Sequence, residues 1–500
     1  MRPATTVPRS PATDRVPVRD RGDLVVLGVE AALLAAAVAV GAVLNRRGVG
    51  LHADAAPVYA TWRPHVGWGT PAALLVAVVV LGPGWRWART ARWGPLLAAG
   101  WLAAVAWTLA LALVDGGSAG LTRRLTTQAE YLHEVPRVVD VRRMLAGFAD
   151  RIIDFQPDSW STHTAGHPPG ALLIFVGLDR VGLGGGTAAA LTCVLVGATV
   201  AVSVPVALRA LGAPDAARAV LPFLVLLPGA VWVGASADGI FTGVVAAGLA
   251  LLAVRGPGAA LAGGLLLGFA LYLSYGFVLV GPLALVVLAL RRDRRAAALL
   301  AGAAGVAAVA AVFTLAGFHW WEGYDRVVER YYQGWAADRP YGYWVWANLA
   351  ALLLSAGPVL GPALRRTLVA ARAGWRSTGS VALARATGPG ALVQATLSGR
   401  AAGPDPAAAA GRAAAGRAAA LAGRVRGLGA VVLLPAAAAL AVVAADLSGL
   451  SKAEVERIWL PFVVWLLVAA AHLPAPARRW WLGGQALTAL AVNHLLFTVS

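Results

Sequence analysis

Charge is what this chain lacks. Only 13% of its 500 residues are Asp, Glu, Lys or Arg, about half the quarter that soluble domains carry. That deficit, together with 59% hydrophobic residues, excludes an ordinary soluble enzyme. Cysteine is nearly absent too. Cys193 alone excludes a disulfide within the chain and a cysteine-based metal site. No internal repeat is evident, which weakens a transporter reading, because many transporters are built from repeats. No small-residue cleavage pattern follows a short apolar core near the N-terminus, so the first apolar run is expected to be a retained anchor rather than a signal peptide.

What is present instead is a series of apolar runs of about 20 residues, the length that crosses a hydrocarbon core. They fall near 22–44, 70–84, 94–114, 187–208, 218–235, 237–254, 257–274, 277–290, 296–318, 343–364, 429–447, 456–472 and 480–498. The expected fold is an all-α polytopic membrane protein with about 13 transmembrane helices, a large outer loop and interfacial helices. The net charge of +18 then reads as arginine in cytoplasmic loops that fixes topology, not as a nucleic-acid footprint.

Arginine sets the expected orientation. The turn at 86–92, the run Arg291-Arg292-Asp293-Arg294-Arg295 and the stretch 365–428, with ten Arg and one acid, are assigned to the cytoplasm. An even number of crossings must separate the first two. The six spans between 94 and 290 satisfy this, so the short piece 168–184 is expected to lie along the outer interface. Segments 115–167, 319–342 and 448–456 and the turn Ser236-Ala237-Asp238-Gly239 then face outward from a multi-pass protein of the plasma membrane whose N-terminus is cytoplasmic. Four regions result: a disordered N-terminus (1–21), an N-terminal transmembrane module (22–364) with the outer loop 115–184, an Ala/Arg-rich linker (365–428), and a three-helix C-terminal part (429–500).

Chemistry is concentrated in the outer loop. Seven acids lie between Asp115 and Gly170. Asp115 ends an apolar helix, where an anion is disfavoured by the helix dipole; a solvated boundary residue and a functional one are both open. Glu130 and Glu134 are four apart, so a helix would place them on one face. There they could hold a divalent cation such as Mg or Mn, or supply a general base; a wet helix face is the plainer alternative. His163 and His167 are also four apart, but Pro168 excludes a shared helix face, so they are read as contacts to a phosphate or hydroxyl and not as a metal pair. Asp238 is expected to cap the helix that follows and to line the outer cavity. The segment 319–344 is dense in aromatics and charges; an interfacial belt explains many of them, and part of it suits a glycan platform. Arg457, at the mouth of a late span, suits a phosphate through its planar fork, with snorkelling as the alternative.

Taken together, Asp115, then Glu130-Tyr131-Leu132-His133-Glu134, then His167-Pro168-Pro169-Gly170, then Ser236-Ala237-Asp238 resemble the GT-C superfamily of membrane glycosyltransferases. That superfamily includes protein O-mannosyltransferases, lipid A aminoarabinose transferases and actinobacterial arabinosyl- and mannosyltransferases. The span Leu267–Gly276 and the stretch Arg457–Pro461 resemble family elements more loosely, with Tyr275 where the family often has Lys. The usual Asp-Glu doublet is absent, two extra spans precede the acidic loop, and no soluble carbohydrate-binding domain is expected after the last helix.

The resemblance implies transfer of a sugar from a polyprenyl-phosphate donor to a glycan, glycolipid or protein acceptor of the cell envelope, in cell-wall biogenesis. Glu130 or Asp115 would be the general base. Arg457, with His163 or His167, would bind the leaving phosphate. Tyr131, Glu134 and Asp238 would shape the substrate pocket, and lipid tails would lie beside 168–184. A transporter or flippase of a lipid-linked or small solute, and a non-catalytic envelope scaffold, are the competing classes. High Ala, Arg and Gly usage points to a GC-rich, actinobacterial source.

Overall fold

The computed structural model describes residues 20–234, 236–387, 418 and 420–498. The expected disordered segment 1–21 lies outside these except for Asp20 and Arg21, and those two are ordered. Asp20 caps the first helix (Arg21–Arg46), its carboxylate accepting from the Gly22 amide at 2.9 Å. The described chain is predominantly helical. The exception is a short antiparallel pair, β1 (Ala60–Trp62) on β2 (Leu496–Thr498), with Ala60 opposite Thr498. It ties the loop after the first helix to the C-terminal end.

Among the described residues six helices are long and apolar enough to cross a bilayer: Arg21–Arg46, Gly69–Ala88, Trp93–Asp115, Gly186–Ala210, Arg295–Leu315 and Ala430–Leu447. A seventh results if Tyr341–Ala356 and Leu360–Arg376, bent by 97°, form one broken span. These helices turn apolar side chains outward, Leu300 and Leu315 being 70% and 83% exposed, as expected of a protein whose solvent is lipid. The chain is an all-α membrane protein.

Among the described residues thirteen such spans are not shown, and several of the expected runs are interrupted at proline or glycine. The run 218–235 breaks into Pro214–Val225 and Ala230–Val233 around Pro228, which cannot donate to a helix ladder. The run 343–364 bends at Gly357-Pro358, where Gly357 takes φ +88°, a region closed to most side chains. The run 456–472 divides into Val455–Ile458, Leu460–Leu466 and a 3-10 turn. The runs at 237–254, 257–274 and 277–290 form shorter apolar helices, Asp238–Ala253, Pro257–Leu271 and Tyr275–Leu290. The helix Pro169–Arg180 has 12 residues and rises about 18 Å, short of a hydrocarbon core of about 30 Å.

The expected loose linker 365–428 begins as helix: Leu360–Thr387 continues through it. Its arginines Arg365 and Arg366 bind Asp23 at 2.8 and 2.6 Å, locking this helix to the first one. Residues 388–417 and 419 of that region lie outside the described residues. The C-terminal part packs into the same hydrophobic core as the rest, with Leu434, Trp465 and Leu482 fully buried in it. Gln485 donates to the Phe223 carbonyl and Asn493 to that of Leu111, at 2.9 and 3.0 Å.

Candidate functional site

Two strips of the acidic loop are stitched together by their own backbone. The His163 amide donates to the Ala129 carbonyl at 2.9 Å, and the Ser161 amide donates to the Glu134 carboxylate at 2.8 Å. Glu130 precedes a helix of only four residues, Tyr131–Glu134, so the two carboxylates do not share a face. Glu130 turns to His163, with 2.6 Å between Oε1 and Nδ1. Glu134, buried, is taken by Ser161 and by Arg137 at 3.0 Å. The expected two-carboxylate metal face is therefore not formed, and among the described residues no three His, Cys, Asp or Glu side chains converge as a metal cluster. Glu134 is a brace of the loop.

His167 and Tyr131 form the floor. His167 Nδ1 lies 2.9 Å from the His163 carbonyl and 2.8 Å from the Tyr131 hydroxyl, so its N–H is shared between two oxygens. Tyr131 stacks on Phe175 at 5.4 Å. Burial pushes the Tyr131 phenol up and the His167 imidazole down, and both stay neutral. Gly170 sets the distance of this floor from the neighbouring turn, because a Cβ there would run into the Tyr272 carbonyl.

Asp238 arrives from a different element. Its helix, Asp238–Ala253, approaches Gly186–Gly197 so closely that a Cβ on Gly243 would run into the Val196 carbonyl. Asp238 does not cap this helix with its side chain. Ser236 closes a local turn ahead of it, its hydroxyl accepting from the Asp238 amide at 3.1 Å and donating to the Asp238 carboxylate at 2.5 Å. The carboxylate is thereby free to receive Arg457, at 2.8 Å.

Arg457 closes the centre. Its guanidinium, 6% exposed, donates to Asp238, to Glu454 at 2.6 Å and to His163 Nε2 at 3.1 Å. An N–H aimed at Nε2 requires a lone pair there, so this network holds His163 neutral with its Nδ1–H donated to Glu130. Burial opposes charge on His163, yet the Glu130 carboxylate lifts its pKa above the ordinary value.

The strip that presents Glu454 is strained. Ala453 and Glu454 adopt φ +71° and +61°, uncommon for residues with a Cβ. Neighbours enforce this: Asn348 binds the Ser451 carbonyl at 2.6 Å, Arg339 the Lys452 carbonyl at 2.8 Å, and Tyr331 the Lys452 amide at 3.0 Å. Strain of this kind persists where the surroundings over-determine it, commonly at functional sites. Burial works against the Glu454 charge, but Arg457 and then Arg339 outweigh it and hold its pKa down to about 2. Glu456, fully buried without a cation on it, is pushed up to about 7 by burial, and one of its oxygens has no partner.

Asp115 belongs elsewhere. Its carboxylate is buried, not at a solvated boundary, and is held by His65 at 2.9 Å and Arg124 at 2.6 Å, with Arg123 at 4.0 Å. Arg124 also donates to the Val231 carbonyl at 3.3 Å.

Of the eight candidate residues, the structure joins Glu130, Tyr131, His163, His167, Asp238 and Arg457 and leaves out Asp115 and Glu134. Glu454 and Ser236 were missed; both stand within three residues of a chosen one, and that proximity was the available signal. His65 and Arg124 carried no signal of their own. No protein-family model, curated protein or solved structure matches the chain.

Proposed function

We propose that this protein is a membrane glycosyltransferase of the GT-C type, moving a sugar from a polyprenyl-phosphate donor to an envelope acceptor on the outer face of the plasma membrane. The observation that carries this reading is the buried Glu130–His163–Arg457–Asp238–Glu454 network. It brings a carboxylate–imidazole pair against an arginine from four separate stretches of chain, at the end of apolar helices. In this reading Glu130 takes the proton of the acceptor hydroxyl. The acceptor oxygen attacks the anomeric carbon, and the bond to the phosphate oxygen breaks with its electron pair leaving on the lipid phosphate. His163 stabilises Glu130 and can relay its proton. Tyr131, His167 and Asp238 shape the pocket.

Arg457 already carries two carboxylates, so a phosphate would bind it by displacing Glu454, the more exposed of the two, at 22% against 5%. An apolar cavity of about 520 Å³, lined by Trp101, Val196, Ser203, Gly243 and Leu266, shares the Asp238 helix and suits a lipid tail. Mg or Mn would enter only through the donor phosphate, because Glu130, Glu134, Asp238 and Glu454 are committed to other partners.

The test is transfer of labelled sugar from polyprenyl phosphate by the purified protein in lipid nanodiscs. Glu130→Gln should lower the rate by about 10²–10⁴-fold, the worth of a general base. Arg457→Lys, which keeps charge but loses the fork, should weaken polyprenyl-phosphate binding. No saturable binding of any polyprenyl phosphate to the wild type would sink the donor assignment.

A further inference from the structure

A second cavity, of about 330 Å³, is lined by His52, Asp54, Tyr59, Ala60 and Trp335. It joins two stretches far apart in sequence. Residues 51–60 come from the loop after the first helix. Trp335 comes from the turn before Tyr341–Ala356. Arg339, buried, pins the loop from behind by donating to the carbonyls of Leu51 and His52 at 3.2 and 3.3 Å. His52 stacks on Trp335 with 5.1 Å between ring centroids and 6° between planes, and its other contact is Asp338, at 3.0 Å. Tyr59 tilts over the same Trp335 at 6.1 Å. The Tyr59 amide donates to Glu456 at 3.3 Å, and Glu456 adjoins Arg457 in sequence.

The geometry points to a saccharide subsite here, taking one neutral sugar ring of the acceptor; the inference rests on the glycosyltransferase reading and assigns its acceptor side. Trp335 is 52% exposed, so an aromatic face stays open to the C–H face of a ring, and an amphipathic aromatic serves one wet and one apolar side. Among the described residues the Asp54 carboxylate has no hydrogen-bond or ion-pair partner. It offers acceptors for ring hydroxyls. The volume is at the small end of the range of about 300–1,000 Å³ for small-molecule sites, which fits one ring and not a long chain. Arg339 is spent on backbone carbonyls and on Glu454, at 3.6 Å, so the open charge of the lining is the Asp54 carboxylate, which disfavours phosphate. The lipid-phosphate donor is thereby kept out of this pocket.

The experiment is saturation-transfer NMR on the full-length protein in nanodiscs, with free arabinose, mannose and galactose as probes and choline as the cationic control. The expected result is saturable binding of at least one neutral sugar, weakened about tenfold in Trp335→Ala and severalfold in Asp54→Asn. Trp335→Ala should leave the melting temperature unchanged, because the side chain is half exposed. Sugar signals that are absent, or unchanged in Trp335→Ala, overturn the subsite, as does choline displacing the sugar. Glu130→Gln separates this proposal from the one it rests on: it should lower transfer by about 10²–10⁴-fold and leave sugar binding intact. Sugar binding without any transfer would fail the enzyme reading alone. Transfer with a KM indifferent to Trp335→Ala would fail the subsite alone.

Discussion

Two buried centres in this protein use the same three kinds of group, carboxylate, guanidinium and imidazole, and differ in sign. Around Asp115 stand Arg124, Arg123 and His65, and Arg63 and Arg123 both lie over the Phe497 ring, at 4.9 and 4.0 Å from its centroid. One carboxylate faces several cations. Around Arg457 stand Asp238 and Glu454, with Glu130 reaching it through His163. One cation faces several carboxylates. Asp115, held by two arginines and a histidine, is an anchor of the fold. Glu130 meets a single imidazole, which is the setting the proposed general base requires. The difference teaches that burial and acidity alone do not assign a carboxylate its role; the charges packed around it do.

The largest effect should come from breaking the first centre. Asp115→Asn leaves Arg124 buried and unpaired, which costs about 3–5 kcal/mol when a buried pair loses one partner. Thermal unfolding of the purified protein should show a much lower midpoint, with loss of transfer following loss of fold. An unchanged midpoint would remove the anchor role and return Asp115 to the list of candidate bases.

Glu130→Gln should do the opposite. The amide can still accept from His163, so the unfolding midpoint should move little while transfer falls. A folded Glu130→Gln protein with the wild-type rate would break the contrast between the centres.

Acid sharpens the comparison next. The Glu454 pKa is depressed to about 2 by its arginines, so its contribution to stability is complete above its unfolded value, near 4.5, and is lost as pH falls from there through about 2. Glu456 runs the other way. Its raised value of about 7 means its contribution is present below about 4.5 and is lost as pH rises through about 7. Glu454→Gln should flatten the acid limb of an unfolding-versus-pH curve, and Glu456→Gln the limb between about 4.5 and 7. Swapped limbs would show that the two acids have been assigned the wrong way round.

The smallest effect should be that of Ser236→Ala. It removes two hydrogen bonds with Asp238, a loss of about 1 kcal/mol for each such bond, and should lower transfer modestly by loosening Asp238 on Arg457. A loss as large as that of Glu130→Gln would mean that Ser236 itself meets substrate.

Membrane embedding, helical class and the residues of the acidic loop were legible from composition and spacing. Apolar run length and scarce charge reflect the solvent each residue must face, and both are local properties. The number of spans was not legible. Pro228, Gly357 and Pro358 interrupt runs that look continuous by hydropathy, because a bend changes geometry without changing polarity. The pairing of Glu130 with Glu134 failed for a similar reason: a four-residue spacing brings carboxylates together only if a helix persists across it, and here the helix starts one residue too late.

The sequence by itself determined that this chain lives in lipid, and it offered Glu130, His163, Asp238 and Arg457 among eight candidate site residues. Only the tertiary structure decided that these four meet, that Asp115 does not join them, and that Glu454 is held in a strained strip beside Arg457. Electrostatic neighbours separated by up to about 300 positions leave no periodic trace in a sequence. Which carboxylate faces one arginine and which faces several depends on packing alone.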